Sequence, residues 1–377
     1  MSLYNLLLPL SKFWKPKNIR ISNNVFSLHG KFTVGLLVIS SLIVSVKEYF
    51  GNPITCMVES NQKKDYAEYY CWLHGTYILK RYLNGTIGQR VAALGVGEAF
   101  GAETDSDRIY QRYYQWITFV LLLLAVLLHI PTFLWKLWEG GRMKTVCKDF
   151  GSPMVSPNWN GVESIRIVKY LRQRNYKTLH RVYAYRFLFC EILNFITVIG
   201  TIWILGLIFE DFWIEYGKAV KAMLSMDTTA WATSTSRMFP KLAKCVYHTF
   251  GSSGTVQKFD ALCLLSLNII NEKIFAILWL WVVFLFITSA INIFYKIAIF
   301  FCTQIRMRIL YSQSCGEKYG AIRLITNNGD FGQWFFLYQM SRNINPVIFH
   351  EILRDLIKYD QENVLYEKNH DDTEETI

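Results

Sequence analysis

Charge is scarce in this sequence. Asp, Glu, Lys and Arg make up 18% of its 377 residues, where ordinary soluble domains carry roughly 25%. A chain of this length suffices for two or three soluble domains or for one polytopic membrane protein, and the shortage of charge favours the second. The formal charge of +11 would suit a nucleic-acid partner. However, the chain has no zinc-finger spacing, no RNP signature and no basic helix with interleaved aromatics, so no nucleic acid is expected. The seven histidines, His29, His74, His129, His180, His248, His350 and His370, are dispersed without metal-ligand spacing. No nucleophile–base pair or carboxylate pair suggests catalysis, and no cofactor is implied. Gly95-Val96-Gly97-Glu98-Ala99-Phe100-Gly101 has the wrong spacing for a dinucleotide loop and reads as turns. A cleavable secretory signal is also missing: Leu3 to Leu10 is apolar, but no basic residue precedes it and no small-residue cleavage site follows. The apolar block beginning at Phe32 is then expected to act as an uncleaved signal-anchor.

What is abundant is hydrophobicity, 52% of residues, gathered into long blocks that a soluble core does not need. A bilayer core of about 30 Å takes about 20 helical residues. Four segments answer to this, and they predict transmembrane helices over 32–47, 114–135, 185–209 and 274–301. Tyr113, Tyr114 and Trp116, then Trp135 and Trp138, then Phe209, Phe212 and Trp213 stand at the segment ends, where aromatic rings favour the headgroup level.

The Lys and Arg bias orients the spans. Residues 1–31 carry five Lys/Arg and no acid, and residues 136–186 carry eleven against three acids. Residues 47–112 carry eight of each sign, and residues 209–273 carry seven Lys/Arg against six acids. The positive-inside rule puts the first two of these stretches in the cytoplasm, and the parity of four spans puts the C-terminal segment there too. The predicted layout is a cytoplasmic N-terminal segment 1–31, an outer loop 48–113, a cytoplasmic loop 136–184, a second outer loop 210–273 and cytoplasmic helices with an acidic tail over 302–377. The cysteines agree with this, because disulfides form on the oxidising side. Each outer loop holds two: Cys56 and Cys71, then Cys245 and Cys263. Four cysteines allow three connectivities, leaving either two separate loops or one stapled cap. Asn84-Gly85-Thr86 in the first outer loop is an N-glycosylation sequon.

Several motifs in order carry a resemblance. Tyr113-Tyr114-Gln115-Trp116 opens the second span, Pro131 follows inside it, and Leu134-Trp135-Lys136-Leu137-Trp138-Glu139-Gly140-Gly141-Arg142 closes it. Tyr49-Phe50-Gly51-Asn52-Pro53-Ile54-Thr55-Cys56 and Cys71-Trp72 lie in the first outer loop. The second outer loop adds Phe239-Pro240-Lys241-Leu242-Ala243-Lys244-Cys245 and Leu267-Asn268-Ile269-Ile270-Asn271-Glu272-Lys273. In these the chain resembles the innexins, the invertebrate gap-junction proteins, from about Asn24 to the fourth span. The resemblance implies an all-α membrane protein: a four-helix transmembrane bundle with disulfide-linked extracellular loops and a helical cytoplasmic domain. It implies a ring of eight such subunits around an aqueous pore, docked onto a ring in the adjoining cell and open to mixing with other innexins. It also implies the pairs Cys56–Cys263 and Cys71–Cys245. The N-terminal segment would fold into the pore as a funnel, placing Ser2, Leu3 and Asn5 at the pore and Glu48 near its outer mouth. Two other readings stand beside this one: the same ring undocked, releasing small solutes from one cell, and a tetraspan adhesion or scaffold protein without a pore.

The departures from the family pattern are Glu48 in place of Gln, Gly251-Ser252-Ser253-Gly254 in place of Gly-Pro-Ser-Gly, and Ser266 in place of Pro. Losing two prolines is expected to loosen the second outer loop. Glu191 and Asn194, on one face of the third span, read as a packing site between helices or as a pore-lining pair. Pro131 reads as a hinge or as a static kink. Residues 1–20, with Leu3, Leu6, Leu7, Leu10, Phe13 and Trp14, are amphipathic enough to lie on a membrane if they do not form the funnel. Val162 to Arg186 reads as a basic helical stretch facing solvent or anionic lipid, and the tail from Asp360 reads as disordered.

Overall fold

The computed structural model describes residues 19–58, 63–83, 85, 87–89, 91, 93–97, 107–148, 150, 161–209, 211–314 and 319–374. A short helix, Asn24–Ser27, and a π-helical segment, Leu28–Thr33, lead into α1 (Val34–Phe50). Next come β1 (Thr55–Met57), α2 (Lys64–His74), β2 (Thr76–Leu79) and β3 (Arg108–Gln111). After α3 (Ile117–Glu139) follow α4 (Arg142–Val146), α5 (Gly161–Arg172) and α6 (Arg174–Ile208). The chain continues through α7 (Phe212–Leu224), α8 (Thr228–Ser236), β4 (Leu242–Phe250), β5 (Val256–Leu264) and α9 (Ser266–Phe301). It ends in α10 (Thr303–Gln313), α11 (Tyr319–Asn328), α12 (Phe331–Ser341) and α13 (Pro346–Glu374).

Four helical stretches are long and apolar enough to cross a bilayer: Asn24–Phe50, Ile117–Glu139, Tyr176–Ile208 and Ser266–Phe301. At about 1.5 Å per residue, the 36 residues of α9 measure about 54 Å, well beyond the hydrocarbon thickness. A helix satisfies its own backbone, which is why lipid admits it. Leu42, Val126, Ile196 and Ile277 are among the large apolar side chains these helices expose, and such faces suit lipid or another protein surface.

The described chain divides into two compact units, and each long helix contributes residues to both. One unit, Thr33–Leu128 with Thr197–Ile287, contains all five strands. They form an antiparallel sheet in the order β1-β5-β4-β2-β3. The residue patterns predict loops here; the strands are a feature of the structure that those patterns do not mark. The central hairpin pairs β4 with β5 over nine residues, from Leu242↔Leu264 to Phe250↔Val256. Its turn closes with Gly251 N–H on the Thr255 carbonyl at 2.8 Å and Gly254 N–H on the Gly251 carbonyl at 2.9 Å. Gly254 has φ +79°, a conformation that glycine adopts without steric cost. The Ser266 hydroxyl donates to the carbonyls of Asn52 at 2.5 Å and Pro53 at 3.2 Å, tying the two loop regions together. Of the two positions where proline is missing, Ser266 carries hydrogen bonds, and Ser252 lies within the turn that the Gly251 and Gly254 bonds close.

In the other unit, Met1–Phe32 with His129–Ile196 and Thr288–Ile377, the described elements are helices. Trp135, Phe187, Trp334, Phe335, Phe336, Phe349 and Ile352 are buried at its centre. Gly332 sits where a Cβ would stand 2.5 Å from the Arg181 backbone, so the close approach of α12 to α6 requires glycine. Arg172 on α5 meets the buried carboxylate of Asp360 on α13 and donates to Gln333 Oε1 at 2.8 Å. That pair holds α13 at the point where composition suggested a disordered tail, and the helix runs on to Glu374.

Among the described residues, the free cysteines differ in reach. Cys147 and Cys190 are buried and Cys302 is exposed. Burial pushes the Cys147 thiol up to about 12, which removes its reactive thiolate at neutral pH. Peptide mapping after brief treatment of the folded protein with N-ethylmaleimide at neutral pH is expected to find label on Cys302 and none on Cys147. Equal labelling would contradict the packing of α4.

Candidate functional site

The candidate site is the joined loop region and the helix ends it holds. Cys56 on β1 stands directly opposite Cys263 on β5, and the two form a disulfide. Cys71, in the last turn of α2, bonds Cys245 on β4. All four half-cystines are buried, among Ile54, Ala67, Ile78, Tyr247 and Leu265. The partners lie 207 and 174 residues apart in the chain. Closing loops of that size constrains a free unfolded chain by roughly 5 kcal/mol each on the loop-entropy picture. Of the alternatives the sequence left open, the fold contains the stapled cap.

The segment before α3 attaches this cap to the second span. Tyr113–Gln115 forms a 3-10 turn. The Tyr113 hydroxyl donates to the Met238 carbonyl at 2.5 Å, and its ring meets Phe209 and Phe239 edge-on at 5.3 and 5.4 Å. The Tyr114 hydroxyl donates to the carbonyl of Cys71 at 3.1 Å, and its ring stacks on Trp72 at 4.5 Å. Gln115 Nε2 donates to the Trp72 carbonyl at 2.5 Å. Three consecutive side chains thus fasten the disulfide-bearing helix α2 and the segment before β4 to the start of α3. Trp116 is exposed on the same helix end, as an aromatic at a membrane border would be.

The fourth span is attached through a buried carboxylate. Glu272 has no exposed surface. It accepts from Trp231 Nε1 and from the Thr235 hydroxyl at 3.3 Å. It also pairs with Lys241 at 3.3 Å and Lys273 at 3.4 Å. A buried charge persists where donors surround it, and these come from α8, the start of the β4 hairpin and α9 itself. Asn268 Nδ2 adds a bond to the Pro240 carbonyl at 2.9 Å. Glu272 stands within the Leu267–Lys273 motif, which by itself assigns it no role. The available signal was an acid beside a lysine at the border of an apolar run.

Other predicted residues fall as follows. Glu48 is half-buried and accepts from the Thr118 hydroxyl at 3.2 Å, so it bridges α1 to the first turn of α3. Pro131 lies buried within α3, which continues through it. Lacking an N–H, it leaves the Leu127 carbonyl without its helical donor. Glu191 is buried in the helical unit. It accepts from Asn23 Nδ2 at 2.7 Å and from Asn292 Nδ2, with Lys296 Nζ at 4.0 Å. The Asn23 Oδ1 meanwhile caps Asn24–Ser27 through Phe26 N–H at 2.7 Å. These bonds place Glu191 in a packing cluster between the third and fourth spans and the approach to the first. Asn194 is buried one turn further along α6. Ser2, Leu3, Asn5 and Asn84 lie outside the described residues.

Burial raises the Tyr113 phenol well above its ordinary value and takes Tyr114 from 10.0 to about 12. Both remain neutral donors at physiological pH. For Tyr114 the folded value is the higher one. Its contribution is therefore complete below pH 10.0 and is lost as pH rises from there towards about 12. Melting of the detergent-solubilised protein is expected to fall steeply across that window, and Tyr114→Phe is expected to flatten the fall. An identical alkaline slope in the variant would contradict the buried hydrogen bond.

The sequence model of the innexin family matches residues 22–359. The chain is 40% identical to innexin inx2 of Schistocerca americana over 346 residues, covering 91% of this chain and 94% of that protein. It is 36% identical to innexin inx4 of Anopheles gambiae over 351 residues, covering 93% and 90%. It is 37% identical to innexin inx2 of Drosophila melanogaster over 343 residues, covering 91% and 92%. A match that spans the disulfide-stapled loops and all four apolar helices makes this chain a member of the innexin family of gap-junction channel proteins.

Proposed function

We propose that eight copies of this chain form a ring around an aqueous pore, and that two rings from adjoining cells dock through the disulfide-stapled loops. Ions and small metabolites then pass by passive diffusion, with selectivity set by pore width and lining charge. The observation that carries this is the fusion of two distant loops into one sheet by Cys56–Cys263 and Cys71–Cys245. A covalently fixed face is what docking to a second membrane needs, because a mobile loop would lose conformational entropy at the contact.

The stapled loops are assigned to the outside of the cell and both termini to the cytoplasm. The Lys/Arg excess of residues 1–31 and 136–186 supports this, as does the pairing of the cysteines, which requires an oxidising side. The N-terminal segment is assigned to the pore, with Ser2, Leu3 and Asn5 at its narrow part and Glu48 towards the outer mouth. Pro131 is assigned a kink in the second span. The chain works as a channel without chemistry of its own. Mixed rings with other innexins are compatible with the same contacts. The Asn84-Gly85-Thr86 sequon favours a second reading, an undocked plasma-membrane channel, because a glycan on the docking face would block close approach.

Dye transfer between paired cells that express only this chain tests docking, and conductance in single cells tests the undocked ring. Replacing Cys56 or Cys245 by Ser is expected to abolish junctional conductance while the protein still reaches the membrane. Normal coupling in those variants would remove the stapled face from the mechanism.

A further inference from the structure

A polar cavity of about 210 Å³ opens in the helical unit. Its walls are the segment Ile19–Ser27, Lys31 and the end of α3 at Thr132, Trp135 and Lys136. Among the described lining residues three are cationic, Arg20, Lys31 and Lys136, and none is acidic. Among the described residues, the Arg20 guanidinium and the Lys31 ammonium have neither an ion-pair nor a hydrogen-bond partner. Thr132 is 5% exposed, and its hydroxyl is buried without a partner. Gly30 makes room for it, since a Cβ there would stand 1.8 Å from Thr132 Oγ1.

The wall is fixed in place. The Asn343 side chain pairs both ways with the Arg20 backbone: Arg20 N–H donates to its Oδ1 at 2.6 Å, and its Nδ2 donates to the Arg20 carbonyl at 2.9 Å. Trp135 Nε1 donates to the Ile21 carbonyl at 3.0 Å. Phe26 and Trp135 supply an apolar floor. With the Arg20 and Lys31 cations unpaired, a spare hydroxyl in the wall and no carboxylate among the described lining residues, the cavity has the chemistry of a phosphate receptor. It lies beside the ends of two spans, where lipid headgroups lie, and basic pockets between spans hold anionic headgroups elsewhere.

We propose that this cavity binds the phosphate group of an anionic membrane lipid, with Arg20 and Lys31 as the charge partners and the Thr132 side chain in the wall. The bound lipid would brace the segment leading from the N-terminal region into the first span. A soluble phosphate ester offers the same group, so the two sources have to be separated by experiment.

The full-length assembly, reconstituted in phosphatidylcholine nanodiscs, provides the test. One arm adds a phosphatidylinositol bisphosphate, the other adds soluble inositol trisphosphate, and native mass spectrometry with thermal melting reads retention and stabilisation. The lipid is expected to be retained and to raise the melting temperature, with the soluble ester far weaker. Affinity is expected to fall about fivefold for each cation removed in Arg20→Gln and Lys31→Gln. Equal retention by the wild type and the double variant would overturn the site. Stabilisation by the soluble ester matching that of the lipid would overturn the lipid as its source. If the double variant fails to assemble, Thr132→Val decides, because it changes no charge: weakened retention supports the site and unchanged retention overturns it.

Discussion

Two covalent bonds between distant loops are the constraint on which the rest of this structure depends. The first loop contributes three short strands and one helix, the second two helices and the long hairpin. Cys56–Cys263 and Cys71–Cys245 join them at two points, one between paired strands and one from helix to sheet. The two bonds lie on different elements, so they fix the orientation of the loops as well as their distance. The small apolar cluster around the half-cystines then has walls from both loops.

That cap in turn sets where the helices begin. Tyr113, Tyr114 and Gln115 bond to carbonyls near Met238, Cys71 and Trp72, so the start of α3 is positioned by the stapled region. Glu272 does the same for α9, with donors from α8 and the β4 side. Lipid supplies no hydrogen bonds and little packing specificity to the outer faces of these helices. Their register therefore depends on fixed points such as these. In the helical unit, Glu191 and Asn343 serve comparable ends: one gathers Asn23, Asn292 and Lys296, and the other holds the backbone of Arg20.

Much of this was legible in the sequence, and the reason is solvent. Runs such as Val120 to Leu128 have only one stable home, so the four long helices follow from composition. The disulfide partners were not derivable from spacing, since three pairings fit, and the choice came from resemblance to the innexins. The sheet was not visible at all. β1, β2 and β3 are short, and the longer β4–β5 hairpin mixes Lys244, His248, Lys258 and Asp260 with apolar residues, so no clean alternation marks it. Glu191 was visible as an anomaly, an acid in an apolar run, but its partners lie 168 and 101 residues away, and no local pattern encodes them. The helix through Asp360 was missed for the same reason, because its stabilising arginine, Arg172, sits on another helix far back in the chain.

The most direct test of the stapled cap is disulfide mapping of the membrane-extracted protein, digested without reduction after free thiols are blocked. Cross-linked peptides joining Cys56 to Cys263 and Cys71 to Cys245 are the expected result. Peptides joining Cys56 to Cys71 and Cys245 to Cys263 would mean two independent loops and would contradict the fold on which the proposed docking face depends.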